Sequence, residues 1–391
     1  MGKRNSLPAL VLQSGIQQIK FFKILLLTHL TLTNFKNISE ASLELSPKIN
    51  CFLGDNGMGK SNLLDSIYFL SFCKSFGGAQ DPMLIRRGED FAMLKGEYER
   101  RGITEDVQAS LQPGRRKVFK RSGKPYARLT EHIGAFPLVM VSPADMDLVT
   151  GEPADRRRFI DAIISQSDAR YLETLIKYNA ALAQRNALLK SETPQPPSLY
   201  EALEIQLEMA ASYIYARRAE VVAQLRDMML PYYREIANCD ETPALIYRSA
   251  DYESEGGLAA HLARLRGRDI ALGYTASGPH RDEIEFTLDG MNLRRTASQG
   301  QTKTFTSALR FAQYELLRKA LGMQPMLLLD DIFDKLDAGR VSRIMALVSN
   351  SDTFGQIFIT DTNRKHLDEI VADIKGNAKL WMVLDGTFTQ V

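Results

Sequence analysis

Cysteine is scarce in this chain of 391 residues: only Cys51, Cys73 and Cys239, with neither a C-x-x-C pair nor an even framework. That scarcity excludes a disulfide scaffold and a cysteine-built zinc site, and it suits reduced thiols in a cytoplasmic protein. An excess of one charge is also missing. Lys and Arg number 49 against 47 Asp and Glu, a net +2, so any nucleic-acid surface must be a local patch. No stretch approaches 18 uninterrupted apolar residues, which excludes a membrane-spanning helix. The apolar run 7–12 is too brief for a signal sequence and lacks an A-x-A-like cleavage site. Residues 1–23 therefore read as an N-terminal extension that the first strand does not require. What remains is the ordinary globular mix, 45% hydrophobic and 25% charged, at a length that suits two to three domains or one with a large insertion.

Residues 24–35 include the alternation Leu30-Thr31-Leu32-Thr33, expected of a half-exposed strand. Two further strands, 42–45 and 49–53, follow, and the second runs into a glycine-rich loop and an amphipathic helix at 63–72. Short alternating runs between 93 and 120, punctuated by Arg101-Gly102 and Pro113-Gly114, predict antiparallel hairpins and a β-rich lobe. After a buried-type strand at 138–141, helical periodicity begins at Pro153 and is interrupted by the proline-rich segment 193–197. A second helix resumes with Leu199, Leu203, Leu207, Ala210, Ile214, Val221, Leu225 and Met228, a heptad-like series. Paired antiparallel, the two helices would form either a projecting arm about 45–50 Å long or an ordinary helical subdomain. Strands return at 284–288 and 326–330. The second is a continuous apolar run of the parallel, doubly covered kind, so the two ends of the chain are expected to share one sheet.

Gly54-Asp55-Asn56-Gly57-Met58-Gly59-Lys60-Ser61 fits G-x-x-x-x-G-K-[ST] between a strand and a helix. Its glycines let successive N–H groups converge on phosphates at a helix start, Lys60 reaches the β and γ oxygens, and Ser61 ligates Mg²⁺. A bare glycine turn would not explain Lys60 and Ser61 together. Met326-Leu327-Leu328-Leu329-Asp330-Asp331 is an apolar strand ending in two carboxylates, as a magnesium triphosphate requires opposite the loop. Asp330 would act through Mg²⁺, and Asp331, on the other side of an extended chain, would orient the attacking water or serve as its base. Ser298-Gln299-Gly300-Gln301-Thr302-Lys303 opens a further amphipathic helix and offers a second anion site. With one phosphate loop per chain, such an element makes sense if it serves a nucleotide held by another copy, and two nucleotides would be sandwiched in a symmetric dimer.

Together with Lys335-Leu336-Asp337, these motifs resemble the ABC-type ATPase heads of the SMC and RecF class. Leu32-Thr33-Asn34-Phe35-Lys36-Asn37, Ser142-Pro143 with Gly151, Pro153, Arg156 and Arg157, and Ser277-Gly278-Pro279-His280-Arg281-Asp282 resemble elements of the RecF branch, so the likeness runs from about Leu25 to the end. It implies an α/β fold: a P-loop ATPase head with a mixed sheet and an antiparallel β lobe (24–152 and 271–391), carrying an inserted helical arm subdomain (153–270). It also implies a DNA-repair and replication ATPase that dimerises on Mg-ATP, grips duplex DNA and single-strand/duplex junctions, and assists recombinase loading and SOS induction with RecR and RecO. By position, 54–61 would be the nucleotide loop, Ser298, Gly300 and Gln301 the signature acting in trans, Asp330 and Asp331 the Walker B pair, and Asp337 the D-loop carboxylate. Ser142-Pro143 stands where a glutamine loop is usual, and Thr360-Asp361-Thr362 where a histidine is usual. Asp331 in place of the common glutamate is one methylene shorter, which predicts slow hydrolysis. A transporter's nucleotide-binding subunit would share the head motifs but needs a membrane-coupling surface, and a clamp that only binds ATP would function without Asp331.

Arg115, Arg116, Lys117, Lys120, Arg121 and Lys124 cluster in the β lobe, where alternation could turn several toward DNA or simply into solvent. Arg156, Arg157 and Arg158 begin a helix, an unfavourable end for cations, which favours internal ion pairs. His280, Arg281 and Asp282 fit a hydrogen-bonded turn.

Overall fold

A computed structural model of the chain describes residues 23–100, 102–333, 336–349, 353–373 and 377–391. Residues 1–22 of the expected N-terminal extension, Arg101 and Lys335 lie outside the described residues, while Lys23, placed in that extension, instead begins the first strand. Four apolar strands, Ile49–Leu53, Ile357–Asp361, Met326–Asp330 and Leu138–Val141, lie parallel in that order and are buried at every residue. Runs this uniformly apolar are stable only when both faces of a sheet are covered, which is why their pattern does not alternate. Ala378–Leu384 extends this sheet beside Ile49–Leu53, and Thr387–Gln390 closes the edge as a hairpin. The carboxyl ends of the four core strands point the same way and place the loops at 54, 142, 331 and 362 along one rim. Open sheets of this kind bind ligands at that rim.

The second sheet is the antiparallel lobe. Lys23–Phe35 pairs with Ile38–Glu44 on one side and Ala92–Arg100 on the other, and Ile103–Leu111, Val118–Arg121 and Lys124–Pro125 continue outward. The alternating burial of Lys23–Phe35 puts Leu25, Leu27, Leu30 and Leu32 in the core. Met323–Gln324 pairs in parallel with the start of that strand and stitches the last third of the chain to the first.

The helical region is an ordinary packed subdomain and does not form the long arm. Pro153–Ser167 and Ala169–Leu189 precede Pro197–Ala237, a helix of 41 residues whose early part runs antiparallel to Ala169–Leu189. The pairing length is set by the 21-residue partner, about 32 Å at 1.5 Å per residue. The rest of the long helix lies along Gln299–Leu321 of the head, so its apolar series is spent on the head as well as on its partner. A buried charge cluster locks the pair: Arg185, fully buried, contacts Glu204 at 3.0 Å, Asp269 at 2.7 Å and Thr275 at 2.8 Å. Each charge is tolerated there because its partners satisfy it.

The proposed boundary at residue 270 needs correction. Pro243–Arg248, on one side of it, pairs antiparallel with Glu283–Leu288 on the other, and Met291–Asn292 completes a three-stranded sheet. The strand at 284–288 thus belongs to this small sheet rather than to the main one. Its first residue follows Asp282, a buried carboxylate that accepts from Tyr247 and lies 3.6 Å from Arg218. Burial pushes the Asp282 carboxyl up to about 6, against the opposing hydrogen bond from Tyr247 and the charge of Arg218.

A carboxyl raised on folding binds its proton more tightly in the native state, so its contribution to stability is complete below about pH 4 and is lost as pH rises through about 6. Asp282→Asn removes that titration. The stability difference between wild type and Asp282→Asn, measured by denaturant unfolding, is expected to shift by about 2–3 kcal/mol between pH 4 and pH 7. A pH-independent difference would show that Asp282 does not titrate in this range.

Candidate functional site

The phosphate loop leaves the buried strand Ile49–Leu53 and ends in the helix Lys60–Phe72. Gly59 caps that helix at φ 110° with no side-chain cap, and the first turn carries no acidic residue. The N–H groups at this helix start are therefore left to an anion. Lys60, 4% exposed, folds back over the loop and donates to the carbonyls of Gly54 at 2.7 Å and Asp55 at 3.0 Å. Asp55, Asn56 and Gly57 are exposed at the loop tip, and Met58 is half-buried, its carbonyl accepting from the Gly386 N–H of the C-terminal hairpin at 2.8 Å.

Ser61 donates through Oγ to Asp330 Oδ1 at 2.8 Å, which joins the loop to the end of the strand Met326–Asp330. Thr360, at the end of the adjacent strand, donates to the same oxygen at 2.8 Å. Burial raises the Asp330 carboxyl above the ordinary carboxylate range, opposed by the hydrogen bonds of Thr360 and Ser61 and by the charge of Lys60. These groups suit Mg²⁺, which takes few protein ligands and keeps phosphate and water oxygens for the rest. Among the described residues no group of three or more acidic, histidine or cysteine side chains forms a self-sufficient metal cage. One hydroxyl and one carboxylate beside a phosphate cradle fit a metal that arrives with its nucleotide.

Asp331 departs from the extended geometry expected of it. The strand ends at Asp330, and Asp331 turns into the left-handed region at φ 44°, its N–H donating to Thr360 Oγ1 at 3.0 Å. The direction of its side chain is thus set by a turn and not by strand alternation. Thr360 links both aspartates, a role its place in the sequence did not disclose. Aspartate is among the few side chains that occupy the left-handed region at modest cost, which is the one sequence signal available for this turn.

Ser298 caps the helix Gln299–Leu321 in a closed box: its Oγ accepts from the Gln301 N–H at 3.2 Å, and Gln301 Oε1 accepts from the Ser298 N–H at 2.8 Å. Gln301 also donates to Glu241 at 2.6 Å. Among the described residues, no hydrogen bond or ion pair joins Ser298, Gly300 or Gln301 to the phosphate loop of the same chain. Asp337 starts the helix Ala338–Ser349, accepting from the Arg340 N–H at 3.0 Å, and Arg340 packs on Gly300. The sequence elements at 298–301 and 337 therefore share one surface.

At the other departures, Ser142 donates its N–H to Asp145 at 3.0 Å, and Asp145 pairs with Arg310 from the helix Gln299–Leu321. Asp361, where a histidine is usual, accepts from His366 Nδ1 at 2.8 Å. Asn37 stands over Gly59 and accepts from Asn62 at 2.8 Å. The basic cluster of the β lobe is partly neutralised: Lys117 pairs with Asp81 at 2.9 Å and Arg121 with Glu105, while Arg115, Arg116 and Lys124 remain exposed. Arg156 pairs with Glu283 at 2.9 Å, Arg157 donates to the Asp282 carbonyl at 2.6 Å, and Arg158 pairs with Asp155. His280 is held between Tyr178 at 2.6 Å and the Thr275 carbonyl at 3.0 Å.

The pattern of the RecF/RecN/SMC N terminal domain matches residues 26–380. The DNA replication and repair protein RecF of Parabacteroides distasonis is 49% identical over 362 residues, covering 93% of this chain and 98% of its own. Its counterpart in Phocaeicola vulgatus is 45% identical over 368 residues, 94% of this chain and 98% of its own. Among solved structures, the recombination mediator protein RecF-ATPrS in the RecFOR pathway is similar with a TM-score of 0.84 at 28% identity, covering 95% of this chain and 99% of that one. The Smc head domain from Pyrococcus furiosus, at 18% identity and a TM-score of 0.55 over 94% of this chain and 96% of that one, shares the fold.

The tightness of the loop has a direct consequence at Gly59. A Cβ there would stand 2.9 Å from the Asn37 amide on a backbone at φ 110°, so Gly59→Ala must distort the loop. Titration with a fluorescent adenosine triphosphate is expected to show affinity reduced about tenfold or more, for strain of about 1–3 kcal/mol. Unchanged affinity would mean that the loop does not hold the nucleotide in this conformation.

Proposed function

Because the chain belongs to the RecF/RecN/SMC N terminal domain family, we propose that it is an ATP-dependent DNA-binding protein of replication and recombinational repair, a homodimer whose two nucleotide sites are each completed by the partner copy. One observation carries the reading. Ser61, Asp330 and Thr360 close one half of a triphosphate site within the chain, while Ser298 and Gly300, at a helix start with Asp337 and Arg340 beside them, form a second surface that does not contact it. Two such halves complement each other only between copies related by a two-fold axis.

In this reading Lys60 gives up its two carbonyl contacts and neutralises the β and γ oxygens of ATP, while the N–H groups after Gly59 bind the same phosphates. Ser61 and Asp330 hold Mg²⁺, and the bound metal supplies Lewis-acid stabilisation of the phosphates. Asp331 orients water for attack on the terminal phosphorus and takes its proton. Its short side chain, on a turn fixed by Thr360, keeps turnover slow. Loss of the terminal phosphate removes the group both copies contact and reopens the dimer. The exposed Arg115, Arg116 and Lys124 supply phosphate contacts to DNA without reading bases. RecR and RecO are the proposed partners, with recombinase loading at gaps and SOS induction as the outcome. A transporter subunit is disfavoured because the curated RecF relatives align over nearly their whole length.

The test is the mass in solution and DNA affinity with and without ATP. Wild type is expected to become dimeric with ATP and to bind duplex DNA at least about tenfold more tightly, with Lys60→Ala and Ser298→Arg losing both responses. A monomer that binds DNA equally well with and without ATP would refute the reading. Asp331→Asn keeps a side chain that accepts the left-handed turn and removes the base. It is expected to retain ATP-linked dimers while hydrolysis falls about 100-fold or more. Wild-type hydrolysis in this variant would leave Asp331 without a chemical role.

A further inference from the structure

We propose that Arg340 reaches across the ATP-linked dimer and donates to the triphosphate bound in the partner's phosphate loop, with Asp337 as the residue that holds it for that purpose. The inference rests on the shared-site reading above and adds to it a residue that no motif assigns.

Three observations converge on this side chain. First, Arg340 lies against the signature: a Cβ added at Gly300 would stand 2.3 Å from Arg340 Nη1, so the guanidinium occupies the space that glycine leaves open. Second, its donors are unspent. Among the described residues the guanidinium makes no hydrogen bond, its Nε is buried without one, and its ion pair with Asp337 is long, Nε to Oδ2 at 3.4 Å. Buried donors are almost always matched, and an arginine carries five of them in a fixed fork suited to phosphate oxygens. Third, Asp337 is poised as a holder and not as a permanent partner. It is 61% exposed, and it already caps the following helix by accepting from the Arg340 N–H at 3.0 Å. The Asp337 carboxylate is open to water and its pairing is long, so exchanging it for a phosphate costs little.

The surface bearing Arg340 also bears Ser298 and Gly300, the elements read as completing the partner's site. Gln301, by contrast, is tied to Glu241 at 2.6 Å. Arg340, beside the N–H groups of this helix start and within electrostatic reach of Glu241, is the cation placed here for a polyanionic phosphate ligand. Hydrolysis here joins water to the terminal phosphorus as the β–γ bridging oxygen departs with ADP. Arg340 moves no proton in that step and offsets charge on the phosphate oxygens.

Mixed dimers separate action in trans from action in cis. Arg340→Ala alone is expected to bind ATP as a monomer within about twofold of wild type, to lose ATP-linked dimers at least about tenfold, and to hydrolyse ATP poorly, with Arg340→Lys recovering part of the loss. Its unfolding midpoint should match that of wild type. In an equal mixture of Arg340→Ala and Lys60→Ala chains, each mixed dimer has one site with both defects and one whole site. Hydrolysis should rise well above that of either variant alone, to at most about half of wild type, because each mixed dimer keeps one whole site of two. A mixture of Ser298→Arg and Lys60→Ala is the control. If the control recovers activity and the Arg340→Ala mixture does not, Arg340 acts within its own chain and the proposal is overturned. It is likewise overturned if Arg340→Ala alone dimerises and hydrolyses ATP normally. If neither mixture recovers, the shared site itself is refuted, and the proposal falls with it.

Discussion

The hydrogen bond from Ser61 to Asp330 is the contact on which the rest of the site depends. It ties a glycine loop to the end of a strand 269 residues later in the chain, at 2.8 Å, and so brings a helix start and a buried carboxylate together. The sheet makes this possible. Because the core strands are parallel and covered on both faces, their carboxyl ends must emerge at one rim, and polar groups that could not survive inside collect there. Thr360 adds a second hydroxyl to Asp330 and steers Asp331 away from the strand. A buried carboxylate held by two hydroxyls and a nearby lysine is an arrangement that a divalent cation completes well.

The opposite surface is built by different means. Two helix starts, at 299 and 338, meet through Arg340 and Gly300, and the long helix Pro197–Ala237 braces the first of them from behind. The helical insertion therefore supports the signature helix directly, through packing along Gln299–Leu321 and through the Glu241 contact to Gln301. A change in the angle between insertion and head would move the signature surface relative to the phosphate loop.

Much of this was legible in the linear sequence because its chemistry is local. A phosphate loop consists of adjacent residues, an apolar strand announces its burial by lack of alternation, and a proline-rich break marks a helix end. The strand at 138–141, the loop at 54–61 and the strand 326–330 stand where their patterns put them. The boundary at 270 cuts through a strand pairing that neither strand shows alone, and of the two readings left open for the helices the packed subdomain is the one found. A helix's apolar stripe shows that something covers it but not what, and the stripe of the long helix is covered by the head. The strand Pro243–Arg248 was invisible because its residue types do not alternate between apolar and polar; the burial of Pro243 and Leu245 follows only from its pairing with Glu283–Leu288.

Composition and motif alone determined that this is a nucleotide-type α/β head with an inserted helical region, since those properties depend on residue type and short spacing. Only the tertiary structure decided which groups the phosphate loop touches, that Asp331 lies on a left-handed turn, and that Arg340 rests on Gly300 with its buried Nε unbonded among the described residues. The physical reason is distance along the chain. Contacts between residues separated by tens or hundreds of positions are set by how sheets and helices pack, and a linear pattern carries no record of that packing beyond the demand to be buried.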